Sequence, residues 1–275
     1  MPSLSPPMPY YGSKQSIADQ VVDLLPPHRH YVEPYGGSLA VLLAKPVSVM
    51  ETVNDLDASL MTFWRVLRDR PEDLARVCAL TPHSRQEFQD ARERSAGSEL
   101  EVARQVWVQL TQSRGATRRN VGWRHYVAGG TSSMGMPGYL DGYVRRMYAA
   151  AERLHHVSLE ARPGLEIIAN YGAADDVLLY VDPPYLGSTR GVNYHLEMTS
   201  VQGHTDLAGA LLNCRSAVVI SGYASPLYEE LYTHWHRHEI RTSSGNAHDR
   251  TRTEVVWSNR EPTPALFSTK EAVND

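Results

Sequence analysis

Val177-Leu178-Leu179-Tyr180-Val181-Asp182-Pro183-Pro184-Tyr185 is the stretch on which the reading of this chain turns. An uncharged, partly β-branched apolar run of this length matches a strand covered on both faces, as in a parallel sheet. Pro183 and Pro184 lack backbone donors and restrict the residue before each of them, so the ladder must end there. Ligands of open α/β sheets sit at the carboxyl ends of strands, where this loop presents Asp182, the Pro183 carbonyl and Tyr185. Those groups suit one chemistry. An exocyclic amine held against Asp182 and the Pro183 oxygen donates two hydrogen bonds while Tyr185 stacks on the attached ring. Such acceptors pull the amino nitrogen out of conjugation and free its lone pair for attack. A proline-rich turn after a core strand accounts for the prolines alone.

Upstream, Tyr31-Val32-Glu33-Pro34-Tyr35-Gly36-Gly37-Ser38 runs into the apolar Leu39-Ala40-Val41-Leu42-Leu43. Strand, tight glycine loop and helix start follow one another, the local grammar of a nucleotide-type cofactor site. Gly36 and Gly37 let a ligand approach the backbone, and Glu33 suits an ammonium or a hydroxyl. Ser48 to Val53 reads as a second strand ending at Asn54-Asp55-Leu56-Asp57. An acid at that tip is where such folds hold ribose hydroxyls, which makes Asp55 the candidate; Asp57 suits a cap for the helix through Leu60, Phe63, Trp64 and Leu67. Earlier still, Tyr10-Tyr11-Gly12-Ser13-Lys14 opens a short helical pattern and offers a cation and backbone donors to an anionic group, or is simply a turn.

From Pro71 to about His156 the alternation gives way to helical segments and a glycine-rich polar middle. No acid occurs between Glu101 and Asp141, whereas Arg104, Arg114, Arg118, Arg119 and Arg124 all fall there, interleaved with Trp107, Trp123 and Tyr126. Arginine with aromatics and glycine describes a nucleic-acid-contacting surface, and the alternative is a solvated loop. Beyond the central strand, His204 to Leu212 predicts an amphipathic helix, and Ala217 to Tyr223 and Thr253 to Asn259 predict further strands. His234, His236 and His238 alternate as exposed strand histidines do; without a carboxylate or cysteine set nearby they do not predict a metal site.

With 275 residues the chain is long enough to bury a substantial core. Its formal charge of −4 argues against uniform coating of a polyanion but leaves room for a local basic surface. Cys78 and Cys214 are too few for a disulfide framework or a zinc site. No apolar stretch approaches a membrane span and no secretion signal opens the chain, so the expectation is a cytoplasmic protein without a membrane partner.

Glycine loop, strand-end acid and Asp182-Pro183-Pro184-Tyr185, in this order, resemble the Dam-like adenine-N6 DNA methyltransferases across nearly the whole chain. The resemblance implies an α/β fold: a Rossmann-like methyltransferase sheet binding S-adenosyl-L-methionine, formed by residues 1–68 and 157–275, with a mostly helical DNA-recognition insertion over 69–156. It implies Tyr10, Lys14, Glu33, Gly36, Gly37, Asp55 and Asp182 as cofactor-binding residues. It implies Asp182, Pro183 and Tyr185 as the catalytic set holding the target adenine, and double-stranded DNA as partner, contacted by Arg114, Arg118, Arg119 and Arg124. It further implies a monomer or weak dimer that needs no metal. The chain departs from the family at Glu33, usually aspartate, at Leu39, often a third glycine, and at Pro163, where an aspartate usually meets the cofactor's adenine; Glu160 or Glu166 stands in after a register shift. Similar loops serve methylation of RNA bases, of cytosine N4 and of protein glutamine, and a decayed DNA-binding homologue is the non-enzymatic alternative.

Overall fold

The computed structural model describes residues 3–93, 97–118, 121–125, 135–185, 200–242 and 252–262. Seven strands form one sheet: β1 (His30–Glu33), β2 (Met50–Asn54), β3 (Val157–Glu160), β4 (Val177–Val181), β5 (Ala217–Gly222), β6 (His236–Thr242) and β7 (Arg252–Ser258). Their order is β3-β2-β1-β4-β5-β7-β6, with β7 antiparallel to both neighbours and all other pairs parallel. The predicted central strand is β4, and every one of its residues is buried.

Period-two alternation sorts the strands onto two cores. Tyr31, Leu178, Tyr180, Val219 and Val256 enter one hydrophobic cluster, and Val32, Leu179, Val181, Ile220 and Trp257 enter the other. The second face is covered by α9 (Gly164–Tyr171), α10 (Val201–Leu212) and α11 (Pro226–Leu231). The first face carries α1 (Ala18–Val22), α2 (Ala40–Ala44) and α3 (Ala58–Asp69), followed by the helices of the middle segment: α4 (Pro71–Leu80), α5 (Arg85–Glu93), α6 (Glu99–Gln112), α7 (Gly135–Val144) and α8 (Met147–Leu154). Asp57 and Ser98 cap α3 and α6 through their side-chain oxygens, as their positions before helical runs require. Helices α4 to α8 share one continuous cluster with the sheet, through Leu74, Trp107, Leu110, Met147 and Leu154.

Trp107 is therefore a correction to the sequence reading. It is fully buried and donates to the Pro7 carbonyl at 3.2 Å, so it belongs to the core and to no nucleic-acid surface. Helical periodicity from Ala103 to Leu110 carries that signal, and the surrounding arginines masked it. Among the described residues no helix is long and apolar enough to cross a membrane.

Candidate active site

The parallel part of the sheet keeps a 3-2-1-4-5 order, so the chain reverses direction between β1 and β4. A ligand crevice forms at the carboxyl ends of strands flanking such a switch point. Glu33 ends β1 on one side, and Asp182 follows β4 on the other. One pocket joins them, lined by Tyr10 to Lys14, Glu33 to Ser38, Asp55, Leu56, Gly164, Tyr180, Asp182 and Pro184. The strand-end loop and the glycine turn thus share a cavity.

Glycine is required where the turn is tightest. Gly37 has φ +50° beside the Tyr10 ring, and a Cβ on Gly36 would lie 2.7 Å from Leu39 Cδ2 and 3.1 Å from the Asn54 carbonyl oxygen. Leu39 itself sits at φ 53° in the left-handed region. A leucine held in that region carries a strain of about 1–2 kcal/mol. Complete burial of the leucine side chain offsets that strain.

Asp57 takes the capping role the sequence offered it, and Asp55 lines the pocket beside the glycine turn. Asp55 Oδ2 accepts from Gly37 N at 3.0 Å and its Oδ1 from Asp57 N at 2.9 Å, while Asp57 Oδ1 caps α3 through Ser59 N and Leu60 N. Burial raises the Asp55 carboxyl to about 6, against the pull of those two backbone donors. Burial also pushes Glu33 well above the usual carboxylate range, although Tyr31 donates to it at 3.1 Å.

Lys14 lies 168 positions from Asp182 in sequence and meets it in space. Its ammonium donates to both Asp182 oxygens at 2.6 and 2.7 Å and contacts the Tyr185 hydroxyl at 2.5 Å, with Glu254 Oε1 3.7 Å away. Burial alone would lower its pKa; the charges of Asp182 and Glu254 override that and raise it. Ser221 donates to Asp182 Oδ1 at 3.0 Å, and Tyr185 donates to Glu254 Oε1 at 2.9 Å. The Tyr185 ring leans on Tyr223 with centroids 4.5 Å apart. Pro183 and Pro184 are buried, which holds the loop stiff.

Glu254 and Ser221 are site residues the sequence reading did not assign. Both signals were available: alternation places Glu254 on the face of Val256, and Ser221 on the face of Val219, the same face that carries Tyr180. Burial raises the Glu254 carboxyl, the charge of Lys14 opposes this, and the charge of Asp182 adds to it.

The arginines of the acid-free stretch divide. Arg104 is held by Glu101 and Glu87. Arg118 pairs with Asp57 and donates to Gln109 Oε1 at 2.9 Å. Arg124 donates to the Ser113 carbonyl at 3.2 Å and lies over the Tyr139 ring. Arg114 is exposed, with a 3.3 Å contact to His125 Nδ1. Trp123 stacks between His83 and His125 under the Arg85 guanidinium. Arg119 and Tyr126 lie outside the described residues. Glu166 is on the surface, paired with Arg162 at 2.8 Å, and neither it nor Glu160 lines the pocket among the described residues. Among the described residues no group of three His, Cys, Asp or Glu side chains forms a metal site.

Among the described lining residues three are acids, Glu33, Asp55 and Asp182, against the cation Lys14, so a pyrophosphate would find little complementary charge here. Sheet, glycine turn and strand-end Asp182-Pro183-Pro184-Tyr185 loop together make an α/β, Rossmann-like fold with its candidate site at the switch point. Residues 10–112 match the D12 class N6 adenine-specific DNA methyltransferase family. Over 281 residues the chain is 27% identical to the Type II methyltransferase M1.LlaDCHI of Lactococcus lactis subsp. cremoris, covering 94% of this chain and 96% of that protein. Both matches are thus to methyltransferases, one an adenine-specific DNA class over residues 10–112 and the other a type II enzyme over nearly the whole chain. Among solved structures, the putative methyltransferase yhhF from Escherichia coli aligns over 94% of this chain and 92% of its own at 8% identity and a TM-score of 0.36.

Proposed function

We propose that this chain transfers a methyl group from S-adenosyl-L-methionine to the N6 amine of an adenine flipped out of duplex DNA. The observation that carries the reading is the Lys14 ammonium on Asp182: a nitrogen donor already occupies both carboxylate oxygens at the mouth of the glycine-lined pocket. A target amine needs those same acceptors.

S-adenosyl-L-methionine supplies an electrophilic methyl on positive sulfur. Glu33 and the paired glycines hold its amino acid end, Asp55 accepts from its ribose hydroxyls, and Tyr35 and Leu56 wall the remainder. An ammonium reaching Glu33 returns that carboxyl to its charged form and expels a proton. Extruding a base costs a few kcal/mol, and stacking on Tyr185 returns roughly 1–3 kcal/mol. Tyr185 is ready for this, because its hydroxyl is anchored on Glu254 and its ring is braced by Tyr223. As the amine takes Asp182, Lys14 gives up that partner, and Glu254 stands 3.7 Å away to receive it. Asp182 would orient the amine; as the N–CH3 bond forms the S–CH3 bond breaks and leaves a neutral thioether, and the N6 proton would leave afterwards through Asp182 to solvent, so no strong base is required. The alignment of amine and methyl is worth roughly 7–11 kcal/mol of barrier.

Duplex DNA reaches the site along the segment that carries Arg114, Trp123 and Arg124, with Arg119 beside it in sequence. Asp182→Ala tests the assignment: methylation should be lost while S-adenosyl-L-methionine binding persists. Wild-type turnover in that variant would refute it.

A further inference from the structure

We propose that Arg118 is a positioning residue of the cofactor pocket, clamping the acid loop after β2 to the helical layer, and is not a phosphate contact. The inference rests on the reading of the pocket as an S-adenosyl-L-methionine site. Three links run from Arg118 to the glycine turn. Its guanidinium pairs with Asp57 Oδ2; Asp57 N donates to Asp55 Oδ1 at 2.9 Å; and Asp55 Oδ2 accepts from Gly37 N at 3.0 Å. On the other side Arg118 Nε donates to Gln109 of α6 at 2.9 Å, and Gln109 is itself buried and bonded to the Ala91 carbonyl. Asp57 also caps α3, whose Trp64 donates to the Gly37 carbonyl at 3.1 Å.

A second strut lies alongside the first. Tyr11 N donates to the Ala116 carbonyl at 2.9 Å, across a turn in which Gly115 and Ala116 both have positive φ, at 89° and 54°. The segment 113–118 is thus fastened at Tyr11, which lines the pocket, and at Asp57, next to the lining residues Asp55 and Leu56. Arg118 is the cation that offsets Asp57 beside Asp55, two acids only two positions apart. With Nε on Gln109 and Nη1 on Asp57, two of the three guanidinium nitrogens already have partners. Drawing the side chain out to a phosphate would loosen the acid loop at the moment the cofactor must be held.

A double-mutant cycle on cofactor affinity without DNA tests this. Asp57→Asn keeps the helix cap, since asparagine caps as well as aspartate, but removes the charge. Arg118→Ala should weaken binding of S-adenosyl-L-methionine about tenfold, within the range that coupling between neighbouring groups reaches, and the same change made on Asp57→Asn should cost less than about threefold. The slope of DNA affinity against salt should stay at the wild-type value, whereas loss of a phosphate contact would reduce it by about 0.9. Unchanged cofactor affinity in Arg118→Ala, an undiminished loss on the Asp57→Asn background, or a reduced salt slope would each overturn the inference. A wild-type chain that binds no S-adenosyl-L-methionine would instead overturn the reading of the pocket, and this inference with it.

Discussion

Lys14→Met removes the cation from a cluster in which Asp182 and Glu254 otherwise face each other. The side chains of Lys14 and Asp182 are 5% and 19% exposed, so the pair is largely withdrawn from water. Removing one partner of a buried pair costs roughly 3–5 kcal/mol, because the other charge is left without compensation. Here Ser221 still donates to Asp182 at 3.0 Å and the carboxylate retains some contact with solvent, which brings the expected loss down to about 2–3 kcal/mol. In a protein of this size that lowers the midpoint of thermal unfolding by about 4–10 °C. Asp182→Asn alone leaves Lys14 with Glu254 as its remaining carboxylate neighbour, 3.7 Å away, and should cost a similar amount. The double variant Lys14→Met with Asp182→Asn removes both charges and should lie within about 1–2 kcal/mol of the wild type, since neutral replacement of a buried pair is often tolerated. Denaturant unfolding of all four proteins measures the cycle. If the two single losses simply add in the double variant, the side chains do not act as a desolvated pair and the electrostatic account of the site fails.

Asp55 titrates near 6 when folded against an ordinary 3.8, so the folded chain holds the extra proton between those values. This group therefore makes the ligand-free protein lose stability as pH rises from about 4 to 6, whereas cofactor affinity should rise as pH passes 6 and the carboxylate forms; calorimetric titration at pH 5 and pH 7.5 should show the tighter binding at the higher value. Gly164→Ala places a Cβ 2.5 Å from Tyr35 Cζ and should cost about 1–3 kcal/mol together with cofactor affinity, whereas Gly209→Ala in α10, which meets nothing within 4 Å, should stabilise by up to about 1 kcal/mol; equal effects on unfolding would refute the packing argument. Arg114→Ala should reduce the salt slope of DNA binding by about 0.9 and leave cofactor affinity unchanged; a wild-type slope would move the DNA surface elsewhere.

The sheet was legible where burial on both faces leaves an uncharged run, as in β4 and β5, and where glycine or proline ends it sharply. Strand β3 escaped because its four residues, Val157–Glu160, alternate too briefly to stand out, and only Val157 among them is buried. The pocket was legible at Glu33, Gly36, Gly37, Asp55 and Asp182, each fixed by the end of a strand. Lys14 on Asp182 was not, since a contact spanning 168 positions leaves no local pattern. The partners of the arginines were hidden for the opposite reason. Charge counted along the chain does not reveal that Arg104 and Arg118 answer to Glu87 and Asp57, acids outside the acid-free stretch.

Incubation of the chain with methyl-labelled S-adenosyl-L-methionine and duplex DNA, followed by digestion to nucleosides, tests the central claim most directly. The account predicts label in N6-methyladenine, dependent on Asp182. Label in cytosine, or transfer to RNA or protein with none to DNA, would contradict it.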